Sequence, residues 1–139
     1  KAYSYDGVNL PFENNFFDRI IIVQCLEHIN EPEKFLFEMM SKLKNSGVLS
    51  ISLPTDPGLL WRLGKLFTKY FTAKRTYKIS SREYDYMLAT EHINSIFNLI
   101  SLIRYNFKNK IEENFLPFKI KLVDLNLFYN VHITKPSNY

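Results

Sequence analysis

The tetrapeptide Glu-His-Ile-Asn occurs twice in this chain, at Glu27–Asn30 and at Glu91–Asn94. Histidine exchanges a proton near neutral pH more readily than any other unperturbed side chain. His28 is therefore a candidate general base or ligand-positioning group. The alternative is a histidine hydrogen-bonded to the start of the helix that follows. The flanks of the two copies do not match, so they are not a structural repeat. Both precede a helical pattern, and Asn acting twice as a helix cap accounts for them as well as a shared chemistry does. Glu27 and His28 are adjacent potential ligands, but no second ligand cluster accompanies them and no metal is expected. Cys25 reads as a small apolar wall, since no base is paired with it in the sequence. Asp6 can accept hydrogen bonds from an amine or a hydroxyl. Gly7 lets the backbone approach a planar ring closely. There is no P-loop and no GxGxxG.

These residues need elements to hold them. Ile20 to Val23 is an unbroken β-branched run, apolar on both faces, which taken alone suits a strand at the centre of a parallel sheet covered on both sides. The turn Gln24–Asn30 follows. Asn30 is placed to cap a helix, with Glu33 as capping-box partner and Pro32 in the first turn. Phe35, Leu36, Met39, Met40 and Leu43 recur at helical spacing. Asn45-Ser46-Gly47 should end that helix, with Gly47 left-handed. Val48 to Leu53 reads as a second strand, stopped by Pro54. Strand, helix and strand make a βαβ unit. In such sheets ligands bind beyond the C-terminal strand ends. Asp6, Gly7, Gln24, Cys25, Leu26, Glu27, His28, Pro54 and Thr55 all fall there.

The remainder is less regular. Leu59, Leu60, Trp61, Leu63, Leu66, Phe67, Tyr70 and Phe71 define one face of a predicted helix, with Arg62, Lys65, Lys69 and Lys74 on its flanks or just beyond. Such a helix either packs on its own domain with snorkelling lysines, the commoner case, or lies on a membrane surface. Ser81 to Thr90 reads as a polar, aromatic connection. Asn94 to Phe107 is a further helix, and Lys110–Phe115 and Leu125–Thr134 are strands, the last two-faced. The 139 residues carry 46% hydrophobic and 23% charged side chains, a net charge of +4 and one cysteine. One domain over residues 1–139 is expected, with 55–90 as an acceptor-side insert. A lone cysteine excludes an internal disulfide and suits a cytoplasmic, or membrane-peripheral, setting. No apolar run reaches the roughly 18 residues of a membrane span. No nucleic-acid-binding motif is present, and no nucleic-acid partner is expected.

Three blocks carry a family resemblance: DGVNLPF (Asp6–Phe12), FFDRIIIVQCLEHINEPEKFLFEM (Phe16–Met39) and LKNSGVLSISLP (Leu43–Pro54). In order and spacing they resemble the class I S-adenosylmethionine-dependent methyltransferases, of the branch related to ubiquinone and menaquinone biosynthesis. LNLFYNVHITKP (Leu125–Pro136) resembles that family's terminal antiparallel strand, and His92 resembles a substrate-side histidine of many members. The resemblance implies a partial Rossmann-like α/β fold: a mixed sheet of parallel strands with a terminal antiparallel strand, helices on both faces, and the family's strands four, five, seven and six. It implies that Asp6 and Gly7 lie beside the adenine of S-adenosyl-L-methionine. Gln24 and Cys25 would line its methionine part, with Leu26 beside them, and His28 and His92 would face the acceptor. Some quinone O-methyltransferases bind a metal through Glu-x-x-Glu-His, but the first position here is Gln24. The family's glycine-rich loop and the acidic residue ending its second strand have no counterpart in the 139 residues. An incomplete cofactor site is therefore expected, with Ile20–Val23 as an open sheet edge able to pair with another copy. The implied activity is methyl transfer to a small-molecule, glycan or lipid-linked acceptor. The alternative is a non-catalytic module that binds through its edge or its basic helix.

Overall fold

The computed structural model describes residues 10–73, 75–108 and 111–137. Asp6 and Gly7 lie outside that range. The strands are β1 (Phe17–Val23), β2 (Leu43–Pro54), β3 (Ile111–Leu116) and β4 (Phe128–Thr134). The helices are α1 (Pro32–Lys42), α2 (Leu59–Phe67), α3 (Ser81–Glu91) and α4 (Ile96–Asn106), and α2 runs on into a π-helical stretch, Thr68–Ala73. The sheet order is β1-β2-β4-β3. β1 and β2 are parallel, and β4 runs antiparallel to both β2 and β3. This is the expected four-five-seven-six arrangement, and the fold is a partial Rossmann-like α/β fold.

Alternation along the strands places one row set on the core side: Ile22, then Leu49, Ile51 and Leu53, then Ile133, Val131 and Tyr129, then Phe115. All are buried. α1 meets this core through Leu36, Met39 and Met40, and α4 through Ile96, Leu99, Ile100 and Ile103. Those positions fall on one helical stripe. Each fully buried Leu or Ile among them contributes about 1.5–3 kcal/mol relative to exposure. The opposite side of the sheet is thinly covered. Ile21 and Val23 are 65% and 60% exposed. α2 reaches that side through Trp61, whose ring meets Phe128 edge-on at 6.1 Å. Among the described residues β1 is an edge strand.

Several local expectations are corrected. Asn30 does not cap α1: the N-cap is Glu31, without a side-chain cap bond, because Pro32 fixes the first helical residue one position later. Gly47 does not end that helix in a left-handed conformation. α1 stops at Lys42, Leu43 already pairs with Phe17, and the register then skips to Arg19 opposite Val48. Ser46 takes the positive φ of 63° within this bulge. Gly47 is needed for close approach instead: a Cβ there would lie 2.8 Å from Lys44 O and 3.1 Å from Asp18 O. Residues 81–91 are helix α3, not a connection. A complete capping box, Ser80 with Glu83, starts it. α4 begins at Ile96, with Ser95 rather than Asn94 as its cap. Phe17 packs against the core, whereas Phe16 remains 53% exposed.

Candidate functional site

Strand β1 delivers the first group. Gln24 takes a positive φ of 46° and donates its N–H to Ser52 O at 2.9 Å, closing the parallel pair. The chain then turns through a 3-10 turn, Leu26–His28. Leu26 is fully buried in the core, and its carbonyl is taken by the Ile29 N–H and the Asn94 amide, both at 3.3 Å. Cys25 is half-buried, and burial together with the charge of Glu27 pushes its thiol pKa up, which disfavours a thiolate nucleophile. Glu27 is buried at 3% exposure, and its Oε2 has no partner among the described residues.

Strand β2 delivers the second group. Beyond Pro54, Thr55 is locked by its N–H to Leu127 O at 3.0 Å and its hydroxyl to Asn126 O at 2.5 Å. Asp56 comes next. It accepts at Oδ2 from Lys65 Nζ of α2, and the same oxygen lies 2.7 Å from His92 Nδ1. His92 is the C-cap residue of α3.

The two Glu-His-Ile-Asn segments lie against each other. Asn94 N–H donates to Glu27 O at 3.1 Å, and the Asn94 side-chain amide donates to Ile29 O at 2.6 Å and Leu26 O at 3.3 Å. His28 Nδ1 bonds Glu91 O at 2.6 Å. The His28 and His92 rings meet edge to face, with centroids 5.0 Å apart. These partners assign the tautomers. A carbonyl oxygen only accepts, so His28 Nδ1 carries a proton. The ionised Asp56 likewise draws the His92 proton to Nδ1, leaving Nε2 of His92 as an acceptor. His28 Nε2 lies 3.8 Å from Glu27 Oε1, too far for a hydrogen bond.

The structure thus brings Gln24, Cys25, His28 and His92 to one end of the sheet, at the C-terminal ends of the parallel strands. The sequence reading missed Asp56 as the partner of His92 and Lys65 as the partner of Asp56. Asp56 stands just past β2, where the strand-end rule already pointed; nothing in the sequence marks Lys65. Two further buried polar atoms have no partner among the described residues: Asn130 Oδ1, in register with Ser52, and Trp61 Nε1, whose ring meets Phe128 of the same strand. An apolar cavity of about 450 Å³ runs along the β1 edge from Phe12 to Cys25. A second, of about 530 Å³, lies at the opposite end of the sheet, beside Tyr105 and Lys135. No helix among the described residues is long and apolar enough to cross a membrane.

Comparison with known proteins agrees with the geometry. Residues 2–51 match the methyltransferase domain family. The chain is 41% identical over 66 residues to a demethylmenaquinone methyltransferase of Paenarthrobacter aurescens, a match covering 47% of this chain and 25% of that protein. It is 40% identical over 35 residues to norajmaline N-methyltransferase of Rauvolfia serpentina, covering 25% of this chain and 12% of that protein. The matched stretches are thus a minor part of those relatives' lengths. Among solved structures, a SAM-dependent methyltransferase of Thermotoga maritima superposes with a TM-score of 0.58 at 19% identity, over 93% of this chain and 61% of that chain. Over residues 2–51 the chain is similar in sequence to the methyltransferase domain family, and its fold is that of S-adenosylmethionine-dependent methyltransferases.

Proposed function

We propose that the chain supplies the acceptor side, and part of the cofactor side, of an S-adenosyl-L-methionine-dependent methyl-transfer site. The observation that carries this reading is the Asp56–His92 pair, held beside His28 at the C-terminal strand ends of a methyltransferase fold. When bound, the cofactor supplies an electrophilic methyl group on a positively charged sulfonium. The chain's own residues then have two tasks. His92 Nε2 takes a proton from the acceptor, while Asp56 holds Nδ1–H and stabilises the imidazolium that forms. His28, fixed through Nδ1 to Glu91 O, narrows the acceptor's approach.

The donor set suits a cationic ligand. Residues 24–30 contain no Lys or Arg, and the unpartnered Glu27 Oε2 is an acceptor in need of a donor. Gln24 and Cys25 would line the methionine part, with Leu26 packed behind them, and Asp6 and Gly7 the adenine. The four glycines, Gly7, Gly47, Gly58 and Gly64, are widely spaced, so no glycine-rich loop stands among these residues and the chain alone should bind the cofactor weakly. The relatives' names point to a small-molecule acceptor, with glycan- or lipid-linked forms of it within the same reading. A cytoplasmic setting fits the single cysteine.

Transfer of a labelled methyl group by the protein in its natural length, to a panel of hydroxyl, amine and activated-carbon acceptors, tests the reading. Loss of transfer in His92→Ala supports it. Absence of both transfer and cofactor binding in the unaltered protein would refute it. The exposed edge at Ile21 and Val23 favours a second reading, a non-catalytic module that pairs with another strand. Cofactor binding without transfer to any acceptor would favour that reading.

A further inference from the structure

α2 and the π-helical stretch behind it are turned inside out. Leu59, Leu63, Leu66, Phe67, Tyr70 and Phe71 fall at i, i+4, i+7, i+8, i+11 and i+12, which is one helical stripe. Each is at least half exposed, from 51% at Leu59 to 64% at Phe67. The lysines face the other way. Lys65 is bonded to Asp56 and Lys69 to Asp85, and their side chains are only 23% and 18% exposed. A surface helix that packs on its own domain shows the reverse polarity, so snorkelling lysines do not account for this one.

Charge points to what covers the stripe. Residues 57–82 carry seven of the chain's eighteen Lys and Arg and none of its fourteen Asp and Glu. The rest of the chain is therefore net acidic, eleven basic against fourteen acidic side chains. Arg62, Arg75, Lys78 and Arg82 are exposed on this segment. A second copy of the chain would bring the same strongly basic segment against itself. A nucleic acid would leave six apolar side chains without a use. We propose that the outward face of residues 59–71 docks the protein on an anionic lipid bilayer. The apolar stripe would enter the headgroup boundary while the cations contact lipid phosphates. This inference does not depend on the methyl-transfer reading.

Co-sedimentation tests it, with vesicles of phosphatidylcholine mixed with phosphatidylglycerol set against phosphatidylcholine alone. The chain should bind the anionic vesicles about tenfold more tightly than the neutral ones, and added salt should weaken that binding. Leu66→Glu with Phe67→Glu should reduce binding about tenfold or more. The melting temperature should hold, because both side chains are already exposed. Arg75→Glu with Lys78→Glu should bring anionic binding close to the neutral level. Equal binding to both vesicle types, no binding, or unchanged binding by the Leu66/Phe67 variant would overturn the proposal. So would light scattering that finds a dimer which the same variant converts to monomers, since a second copy would then be the occupant.

Discussion

The side-chain amide of Asn94 donates to the Ile29 carbonyl at 2.6 Å, tying the last residue of one Glu-His-Ile-Asn segment to the other. The backbone of Asn94 reaches Glu27 O, and Glu91 O receives the His28 ring. The repeated tetrapeptide is therefore an interface. Each copy supplies one histidine to the same edge-to-face pair.

Asn94 acts here as a donor to carbonyls and not as a helix cap. Asn94→Ala should destabilise the fold by about 1–3 kcal/mol, since it leaves partly buried carbonyls without their donor. Asn94→Asp should do no better, because a carboxylate caps helices well but cannot donate. Urea denaturation of the two variants checks this. Full rescue by Asp would mean that the capping role was the real one.

Asp56 Oδ2 lies 2.7 Å from His92 Nδ1, and on the proposed reading it orients the ring and leaves the acceptor to Nε2. Asp56→Asn offers an amide that can present either donor or acceptor, so it releases the tautomer. In the protein of natural length, kcat should fall about 10- to 100-fold with little change in KM. A change confined to KM would show that the pair binds the acceptor without taking its proton.

Glu113 receives a bidentate bond from Arg104, at 2.8 and 3.1 Å, and accepts the Tyr129 hydroxyl at 2.6 Å. Burial pushes its carboxyl up, but the Arg104 and Tyr129 hydrogen bonds more than offset that, and it titrates below its ordinary 4.5. A folded-state value below the unfolded one means that the unfolded chain binds the extra proton. The linked stability is complete above pH 4.5 and is lost as the pH falls through the lowered value. Denaturation followed from neutral to acid pH should show this loss, and Glu113→Gln should flatten the acid limb.

Two glycines should respond in opposite directions. Gly47→Ala sets a Cβ 2.8 Å from a backbone oxygen that has little room to move, and should lower the melting temperature. Gly64 lies within α2 and a Cβ there meets nothing within 4 Å. Gly64→Ala should therefore stabilise by about 0.5–1 kcal/mol through helix propensity. Thermal melts of both variants decide the matter.

Much of the frame was legible in the sequence because single-element patterns carry it. The Leu36/Met39/Met40 stripe and the alternation from Tyr129 to Ile133 report local burial, and the β-branched run Ile20–Val23 reports a strand although only Ile22 of it is buried. The helix at 81–91 was overlooked although its Ser80–Glu83 capping box is written in the chain, because the segment buries no side chain and has no apolar stripe to display. The partners of His92 were hidden for another reason. Asp56 reaches it across 36 residues of chain and is itself held by Lys65, and only the packing of α2 and α3 beside the strand ends brings the three together. Periodicity likewise revealed that residues 59–71 have an apolar face, but not that the face points outward.

The central claim is that the paired histidines mark the ligand end of the sheet. The most direct measurement is a titration of S-adenosylhomocysteine, at millimolar concentration, into the isotope-labelled chain, followed residue by residue by NMR. The account predicts saturable shifts at Gln24, Cys25, His28 and His92, with Tyr105 and Lys135 at the far end unmoved. Shifts confined to Tyr105 and Lys135, or no shifts at all, would contradict it.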